Sequence, residues 1–256
     1  MQSFLLALAV GAALAAGGCG SKTGESSAPL AVVDPATAGE IFGTVTLDGP
    51  PPVFHPIDMS AAPACVKANP APVVPRIVIT GTNGGLANAV VYVKAGLGRY
   101  RFDTPQAPAV LAQKNCMYEP HVVALMVNQP FEVRNNDPTL HNVHPMPRHS
   151  RQWSSSQPAG SAPLRSFFAR PELAIPVVCN VHPWMRAFVF VFDHPYFAVT
   201  PDTGTFALKN LPPGTYTIEV WHEQFKTLDQ TVTLGARESK SISFTFHSAP
   251  PSTAAH

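Results

Sequence analysis

The pattern of hydrophobic and polar positions predicts short β-strands along most of the chain. Short apolar runs recur between turns rich in glycine, proline and asparagine, and no segment has the spacing of a convincing amphipathic helix. Residues 148–166, rich in serine, proline and arginine, are predicted to form a long loop. Regular short strands separated by turns are typical of an all-β sandwich or barrel. The predicted strands are 41–47, 76–80, 89–94, 122–127, 130–134, 175–179, 187–192, 205–208, 214–221, 230–234 and 239–246.

Composition agrees with this class and excludes several others. Proline accounts for 28 of 256 residues, about twice its usual share of ~5 %, and interior prolines break long helices. Charged residues make up 13 % of the chain, and the formal net charge is +1. Charge this low and this balanced excludes a coiled coil, a charge-rich disordered chain and a nucleic-acid-binding domain. Hydrophobic residues, at 45 %, are enough for one large domain or two small ones.

The chain begins with an apolar run of signal-peptide length. Residues 1–18 are predicted to be a signal peptide, because their apolar core is too short to span a membrane and ends in small residues. The small residues before Cys19 resemble a bacterial lipobox, which implies lipidation of Cys19 and a membrane anchor. A plain secretory signal with an incidental cysteine is the alternative. Either interpretation exports the protein, to the periplasm, the outer membrane or the cell surface. Residues 19–38 are predicted to be a flexible tether and residues 248–256 a disordered tail.

Three further cysteines follow, and one of them lies in a chemically distinctive segment. Cys65 and Cys116 can pair in an oxidising compartment, although the sequence cannot prove the connection. Cys179 begins the segment C-N-V-H-P-W-M, which places a thiol, an imidazole and a thioether three residues apart, the last two being His182 and Met185. A thiolate and an imidazole with a weak thioether nearby suit copper that cycles between two oxidation states.

A second histidine, on a different strand, should complete such a ligand set. The segment H-N-V-H at 141–144 follows a predicted strand and offers His141 and His144. Zinc held by this H-x-x-H pair together with Cys179 is an alternative, but zinc would not need Met185. A buried helix face could also explain the three-residue spacing, although Pro183 and the flanking strands oppose a helix.

The segments H-N-V-H and C-N-V-H-P-W-M resemble the ligand loops of the cupredoxins, and most closely those of the amicyanin type. The resemblance covers residues 99–195 and implies a Greek-key β-sandwich or barrel with one type 1 copper site. Asn142, which follows the first histidine, would help to tie the two ligand loops together. The metal ligands implied by the resemblance are His141, Cys179, His182 and Met185.

The same resemblance implies outer-sphere transfer of single electrons to a transient redox partner. His182 would be the exposed edge through which the electron passes. An apolar docking surface would surround it, formed by Pro145, Met146, Pro183 and Trp184. Packing of Trp184 in the core is the alternative. Copper storage or delivery without redox traffic, and a structural or adhesive surface protein, stay open as competing functions.

The C-terminal part of the chain resembles a second β-family. Residues 201–246 contain L-P-P-G-T-Y before an apolar strand and resemble the carboxypeptidase regulatory-like (transthyretin-like) sandwich. The opening strands of that module resemble 43–49 and 87–93, which implies a split sandwich, 39–98 plus 196–247, with the cupredoxin inserted. A tandem arrangement is the alternative.

No enzyme motif is visible in the sequence. His222-Glu223 lacks the second histidine of H-E-x-x-H, and no G-x-S-x-G is present. We therefore expect a protein that is not an enzyme and has no catalytic residues.

Overall fold

The computed structural model of the protein describes residues 30–248. The predicted signal peptide, Cys19, the first part of the tether and most of the predicted tail lie outside the described residues. Within residues 30–248, sixteen strands form four sheets beside one short α-helix, so the predicted all-β class is confirmed. No helix in this range is long and apolar enough to cross a membrane.

The strands fall into two groups, and the helix α1 (Pro63–Ala68) lies between β1 and β2 in the chain. The first group is β1 (Gly39–Asp48), β2 (Val90–Ala95), β12 (Phe197–Val199), β13 (Thr205–Leu211), β14 (Gly214–His222), β15 (Lys226–Leu234) and β16 (Ser239–His247). The second is β3 (Ala109–Lys114), β4 (Met117–Glu119), β5 (Val122–Met126), β6 (Phe131–Asn135), β7 (His141–Pro145), β8 (Ser155–Gln157), β9 (Leu164–Ser166), β10 (Glu172–Val178) and β11 (Arg186–Phe192).

The first group forms a sandwich of two sheets, with strand orders β13-β1-β16 and β12-β2-β14-β15. β1 pairs antiparallel with β13 and parallel with β16, so a strand that precedes the second group in the chain shares one sheet with two strands that follow it. The alternating side chains of these strands meet in a core that includes Ile41, Val91, Tyr216 and Phe244.

The second group forms another sandwich, with strand orders β5-β11-β10-β7-β8 and β4-β3-β6-β9. β11 pairs parallel with β5, and β10 pairs antiparallel with both β11 and β7. The core between these sheets includes Leu111, Phe131, Val189 and, at one end, Cys179 and Met185. The predicted ligand segments therefore belong to this second sandwich.

An aromatic layer joins the two sandwiches. Phe188, Phe190 and Phe192 of β11 are buried together with Val90 and Tyr92 of β2. This shared cluster packs β11 against β2, so the second sandwich rests directly on the first.

A segment that the sequence placed in the first sandwich packs on the second one. Met59 and Cys65 are buried in the second core, and Ile57 and Val73 pack against it. The backbone N–H of Ile57 donates to the carbonyl of Val73 at 2.8 Å, which closes the base of this loop. We call residues 57–73, which include α1, the cap.

The local predictions differ from the structure in several places: β3, β4, β7, β12 and α1 have no predicted counterpart, and two further segments differ as well. Residues 76–80 form no strand and contribute a single bridge, Thr80 with Leu86. The predicted loop 148–166 contains β8 and β9, which extend the two sheets of the second sandwich at their edges. Both strands are only three residues long, too short for a hydrophobic pattern to reveal them.

Candidate metal centre

Two neighbouring strands bring the candidate ligands together. His141 begins β7, and Cys179 directly follows β10, which pairs antiparallel with β7. His182 and Met185 lie in the turn between β10 and β11. That turn is closed by two backbone hydrogen bonds, from Cys179 N–H to the Met185 carbonyl (3.3 Å) and from Met185 N–H to the His182 carbonyl (2.9 Å). The fold thus fixes one histidine on a strand and the other ligands in a tight turn.

The side chains of His141, Cys179 and His182 converge on one buried point. The two Nδ1 atoms of His141 and His182 lie 2.9 Å apart, and the Cys179 Sγ lies 4.0 Å from the Nδ1 of His182. One donor atom from each residue lies within 4.8 Å of the other two. The exposed fractions are 0 % for His141, 3 % for Cys179 and 5 % for His182. Met185 is fully buried in the same core.

The surroundings of Cys179 favour a thiolate. Burial opposes ionisation, but a hydrogen bond with His141 and backbone N–H groups outweigh it and lower the pKa of the thiol. The N–H groups of Asn142 and His182 both donate to Sγ at 3.4 Å. The thiol is therefore prepared for the deprotonated state in which cysteine binds metals.

The inner histidine, His141, is oriented by a buried carboxylate. Its Nε2 lies 2.8 Å from Oδ2 of Asp137, and this leaves Nδ1 to face the ligand cluster. Burial favours the neutral ring, but hydrogen bonds and charge from Cys179 and Asp137 raise the pKa of His141. Asp137 is itself held by the N–H groups of Asn115 (2.6 Å) and Cys116 (2.8 Å). A carboxylate in this place fixes the tautomer and orientation of a ligand histidine.

The outer histidine, His182, has different neighbours. Burial, followed by the proximity of His141, lowers the pKa of its ring. Its Nε2 lies 3.5 Å from the Sγ of Cys65, which the structure joins to Cys116 in a disulfide. The indole of Trp184 packs against the ring with 5.2 Å between centroids.

The two ligand loops are tied by polar side chains. The Asn142 amide oxygen accepts the backbone N–H of Asn180 at 3.4 Å, and its Nδ2 donates to Ser154 Oγ at 3.1 Å. The Tyr118 hydroxyl lies within hydrogen-bond distance of the carbonyls of Asn142 (2.6 Å) and Val178 (3.1 Å). Asn142 thus lies where the resemblance places it, and Tyr118 bridges the same loops.

The exposed edge expected at His182 is wrong, because the cap and Trp184 cover the ring. Pro145 is also buried, and the exposed Met146 lines a separate cleft of about 880 Å³ between the sandwiches. Pro183 and the half-buried Trp184 line a groove of about 430 Å³ against α1, with His182 at its floor. The four residues predicted as one docking surface therefore form no single surface: Pro145 is buried, Met146 lines one depression, and Pro183 and Trp184 line another.

His144 is not part of the cluster. Its Nδ1 faces the side chain of Asn180 at 3.3 Å, and it belongs to none of the groups of potential ligands found in residues 30–248. The zinc alternative, which needs both histidines of H-x-x-H, therefore loses one ligand.

Sequence reasoning missed Asp137 and Tyr118. Asp137 lies four residues before His141 in N-N-D-P-T-L-H, and this spacing beside a candidate ligand was the available signal. Tyr118 lies on β4, a strand of three residues, so the sequence carried no signal for its contact with the ligand loops.

The donor set itself fits copper. Two imidazole nitrogens and a thiolate, with the buried thioether of Met185 in the same turn as His182, combine soft and intermediate ligands in the way that copper sites do. The three donor atoms lie within 4.8 Å of one another, close enough for a single ion to contact all three.

Comparisons with known proteins give partial likenesses. The model of the carboxypeptidase regulatory-like domain matches residues 182–247, which contain strands β12 to β16 of the first sandwich. No curated protein matches the chain. Residues 187, 189 and 191, inside this match, contribute to the second core, so the match begins in the second sandwich, before the chain returns to the first at β12.

The similar solved structures include proteins whose descriptions name copper or a cupredoxin. A Cu-containing nitrite reductase from Thermus scotoductus has 16 % identity and a TM-score of 0.32, and the match covers 40 % of this chain and 25 % of the reductase. A purple cupredoxin from Nitrosopumilus maritimus has 19 % identity and a TM-score of 0.28, covering 33 % of this chain and 98 % of its own. An oxidized amicyanin mutant has 15 % identity and a TM-score of 0.30, covering 40 % of this chain and 97 % of its own. Likenesses this weak give no evidence about the site.

Proposed function

We propose that this chain is an exported mononuclear copper protein that carries single electrons between redox partners of the cell envelope. His141, Cys179, His182 and Met185 would hold the metal. The observation that carries the proposal is the convergence of two imidazole Nδ1 atoms and one thiol at a buried point. Bound copper supplies a one-electron couple at such a site.

The chain's own residues prepare that site before any metal arrives. Asp137 turns the Nδ1 of His141 inward, and backbone N–H groups favour the thiolate of Cys179. Burial of all three donors excludes water, and the strands β7, β10 and β11 resist rearrangement. A site that moves little between oxidation states is what electron transfer requires.

Storage or delivery of copper without redox traffic is the second candidate. The burial of His182 beneath the cap favours it, since an electron carrier usually brings a ligand edge close to its partner. His182 lines the groove beside α1.

The anchor and the first sandwich complete the proposal. Export and attachment to a membrane through Cys19 are proposed from the first nineteen residues of the sequence. The regulatory-like sandwich is proposed as a scaffold or interaction surface, because its core is apolar and contains no cluster of potential metal ligands among the described residues.

Voltammetry of the copper-loaded protein separates the two candidates. An electron carrier is expected to show a reversible one-electron couple and rapid exchange with a small soluble redox mediator. Cys179→Ser, which keeps the size of the side chain, should abolish the couple. A protein that binds only Cu(I), or that exchanges no electrons with the mediator, would contradict electron transfer and favour storage.

A further inference from the structure

The cap is fastened against the candidate metal centre by a disulfide. Cys65, in α1, is fully buried and bonded to Cys116, which lies in the turn between β3 and β4. The side chain of Asn69 strengthens this attachment by donating to the carbonyls of Cys65 (3.0 Å) and Asn115 (2.9 Å). The cap therefore has both a covalent and a hydrogen-bonded connection to the second sandwich.

One half of the disulfide touches the outer histidine. The Sγ of Cys65 lies 3.5 Å from Nε2 of His182, on the side of the ring that faces away from Cys179. The ring is thus enclosed between the disulfide on one side and the ligand cluster on the other. Trp184, from the same turn as His182, donates its indole N–H to the carbonyl of Cys116 at 3.0 Å.

The other half of the disulfide reaches the inner histidine through one residue. The N–H of Cys116 donates to Oδ2 of Asp137, and the same oxygen accepts from Nε2 of His141. Cys116 and Asn115 both have positive φ, 56° and 53°, a backbone conformation that directs their two N–H groups at this carboxylate. A single covalent link therefore contacts both candidate histidine ligands, one directly and one through Asp137.

We propose that the Cys65–Cys116 disulfide is a positioning element of the metal centre, and that its reduction by a dithiol releases the cap from His182. The proposal rests on the proposed function for the identity of the metal. In the reduction, the dithiol donates two electrons and two protons, the S–S bond of the protein breaks, Cys65 and Cys116 become thiols, and the reductant becomes a disulfide. Copper would then be held firmly in an oxidising compartment and released more readily where dithiols are present.

The first test uses metal-free full-length protein, so that its result does not depend on copper. Diethyl pyrocarbonate modifies accessible imidazoles, and peptide mass spectrometry locates the modified residues. We expect His182 to be protected in the native protein and to react in Cys65→Ser/Cys116→Ser and in dithiol-treated native protein. Buried His194, in the first sandwich, is the internal reference and should stay protected throughout.

The outcomes of this test are distinct. Modification of His182, but not of His194, after loss of the disulfide supports the proposal. Continued protection of His182 without the disulfide overturns it. Reaction of both His182 and His194 also overturns it, because the disulfide would then stabilise the whole fold rather than position the ring. If the double variant does not fold, the dithiol-treated native protein gives the same readout once mass spectrometry shows that its buried disulfide is reduced.

The second test uses the copper-loaded protein. Loss of an outer-shell partner typically weakens metal binding about 10–100-fold, so the double variant should transfer its copper to a chelator correspondingly faster and show an altered Cu(II) spectrum. Trp184→Phe, which keeps the disulfide and an aromatic ring but removes the N–H to Cys116 and part of the ring beside His182, should change the spectrum less. An unchanged spectrum and transfer rate in the double variant would contradict positioning. Failure of the native protein to bind copper, with His182 still released by the dithiol, would refute the proposed function alone.

Discussion

Each of the two sandwiches buries a pair of histidines, and the two pairs have very different neighbours. In the first sandwich, His194 donates from Nε2 to the Val93 carbonyl at 3.0 Å and accepts the Tyr196 N–H at Nδ1, while Nδ1 of His222 accepts the Gln224 N–H. In the second sandwich, His141 and His182 direct their Nδ1 atoms at each other and at a thiol. Burial alone therefore does not indicate whether a histidine binds metal, whereas the direction in which its free ring nitrogen points does.

The largest difference in copper affinity is expected between a variant that loses a ligand histidine and a variant that loses a structural histidine. His141→Ala should weaken Cu(II) binding by more than the about 10–100-fold typical of an outer-shell partner, because it removes a donor atom itself. His194→Ala removes another buried ring, in the first sandwich, and should leave the affinity unchanged. Competition titration against a chelator of known affinity measures both, and thermal melts exclude unfolding. Equal losses in the two variants would break the distinction between the pairs.

The carboxylate behind His141 should have the next largest effect. Asp137→Asn weakens the orientation of the ring and removes the nearby charge, so copper affinity should fall about 10–100-fold. The matched control is Glu132→Gln, which neutralises another buried carboxylate of the same sandwich, one paired with Arg134 and Arg165 and with no contact to a ligand. Unchanged affinity in Asp137→Asn, or an equal loss in Glu132→Gln, would contradict a role for Asp137 in positioning.

His222 of the first pair and His141 of the second should respond to pH in opposite ways in the metal-free protein. Burial lowers the pKa of His222 to about 4 from 6.5, so the unfolded chain binds the proton first and stability falls as pH falls through this window. At about 1.4 kcal/mol per pKa unit, the loss is roughly 3 kcal/mol. His141 has a raised pKa, so its contribution is complete below pH 6.5 and is lost as pH rises through the raised value.

Urea midpoints measured between pH 7 and pH 4 test this difference. His222→Gln keeps an acceptor for the Gln224 N–H but cannot titrate, so its midpoint should depend less steeply on pH than that of the native chain. An unchanged slope would mean that His222 does not carry the acid sensitivity of the first sandwich.

The smallest effect is expected at His144. Its ring faces Asn180 and not the ligand cluster, so His144→Ala should change copper affinity less than twofold and stability by at most about 0.5 kcal/mol. The same titration and melt provide the measurement. A large loss of affinity would restore the H-x-x-H interpretation, with His144 as a ligand.

The sequence revealed the all-β class and pointed to the segments that meet in the cluster, because strand periodicity and the C-x-x-H-x-x-M spacing are local. It could not reveal that Cys65 and His182 lie in contact, since 117 positions separate them and only the packing of the cap joins them. For the same reason the covering of His182 was missed, and an exposed edge was expected in its place. Asp137 was within reach of the sequence, being four positions from His141.

Titration of the metal-free protein with Cu(II) is the most direct measurement of the candidate metal centre. One equivalent of copper should bind and produce an intense visible absorption band from the thiolate of Cys179, and Cys179→Ser should abolish the band while the β-sheet spectrum stays unchanged. Binding of copper without this band, or a band that survives in Cys179→Ser, would contradict a copper site built on His141, Cys179 and His182.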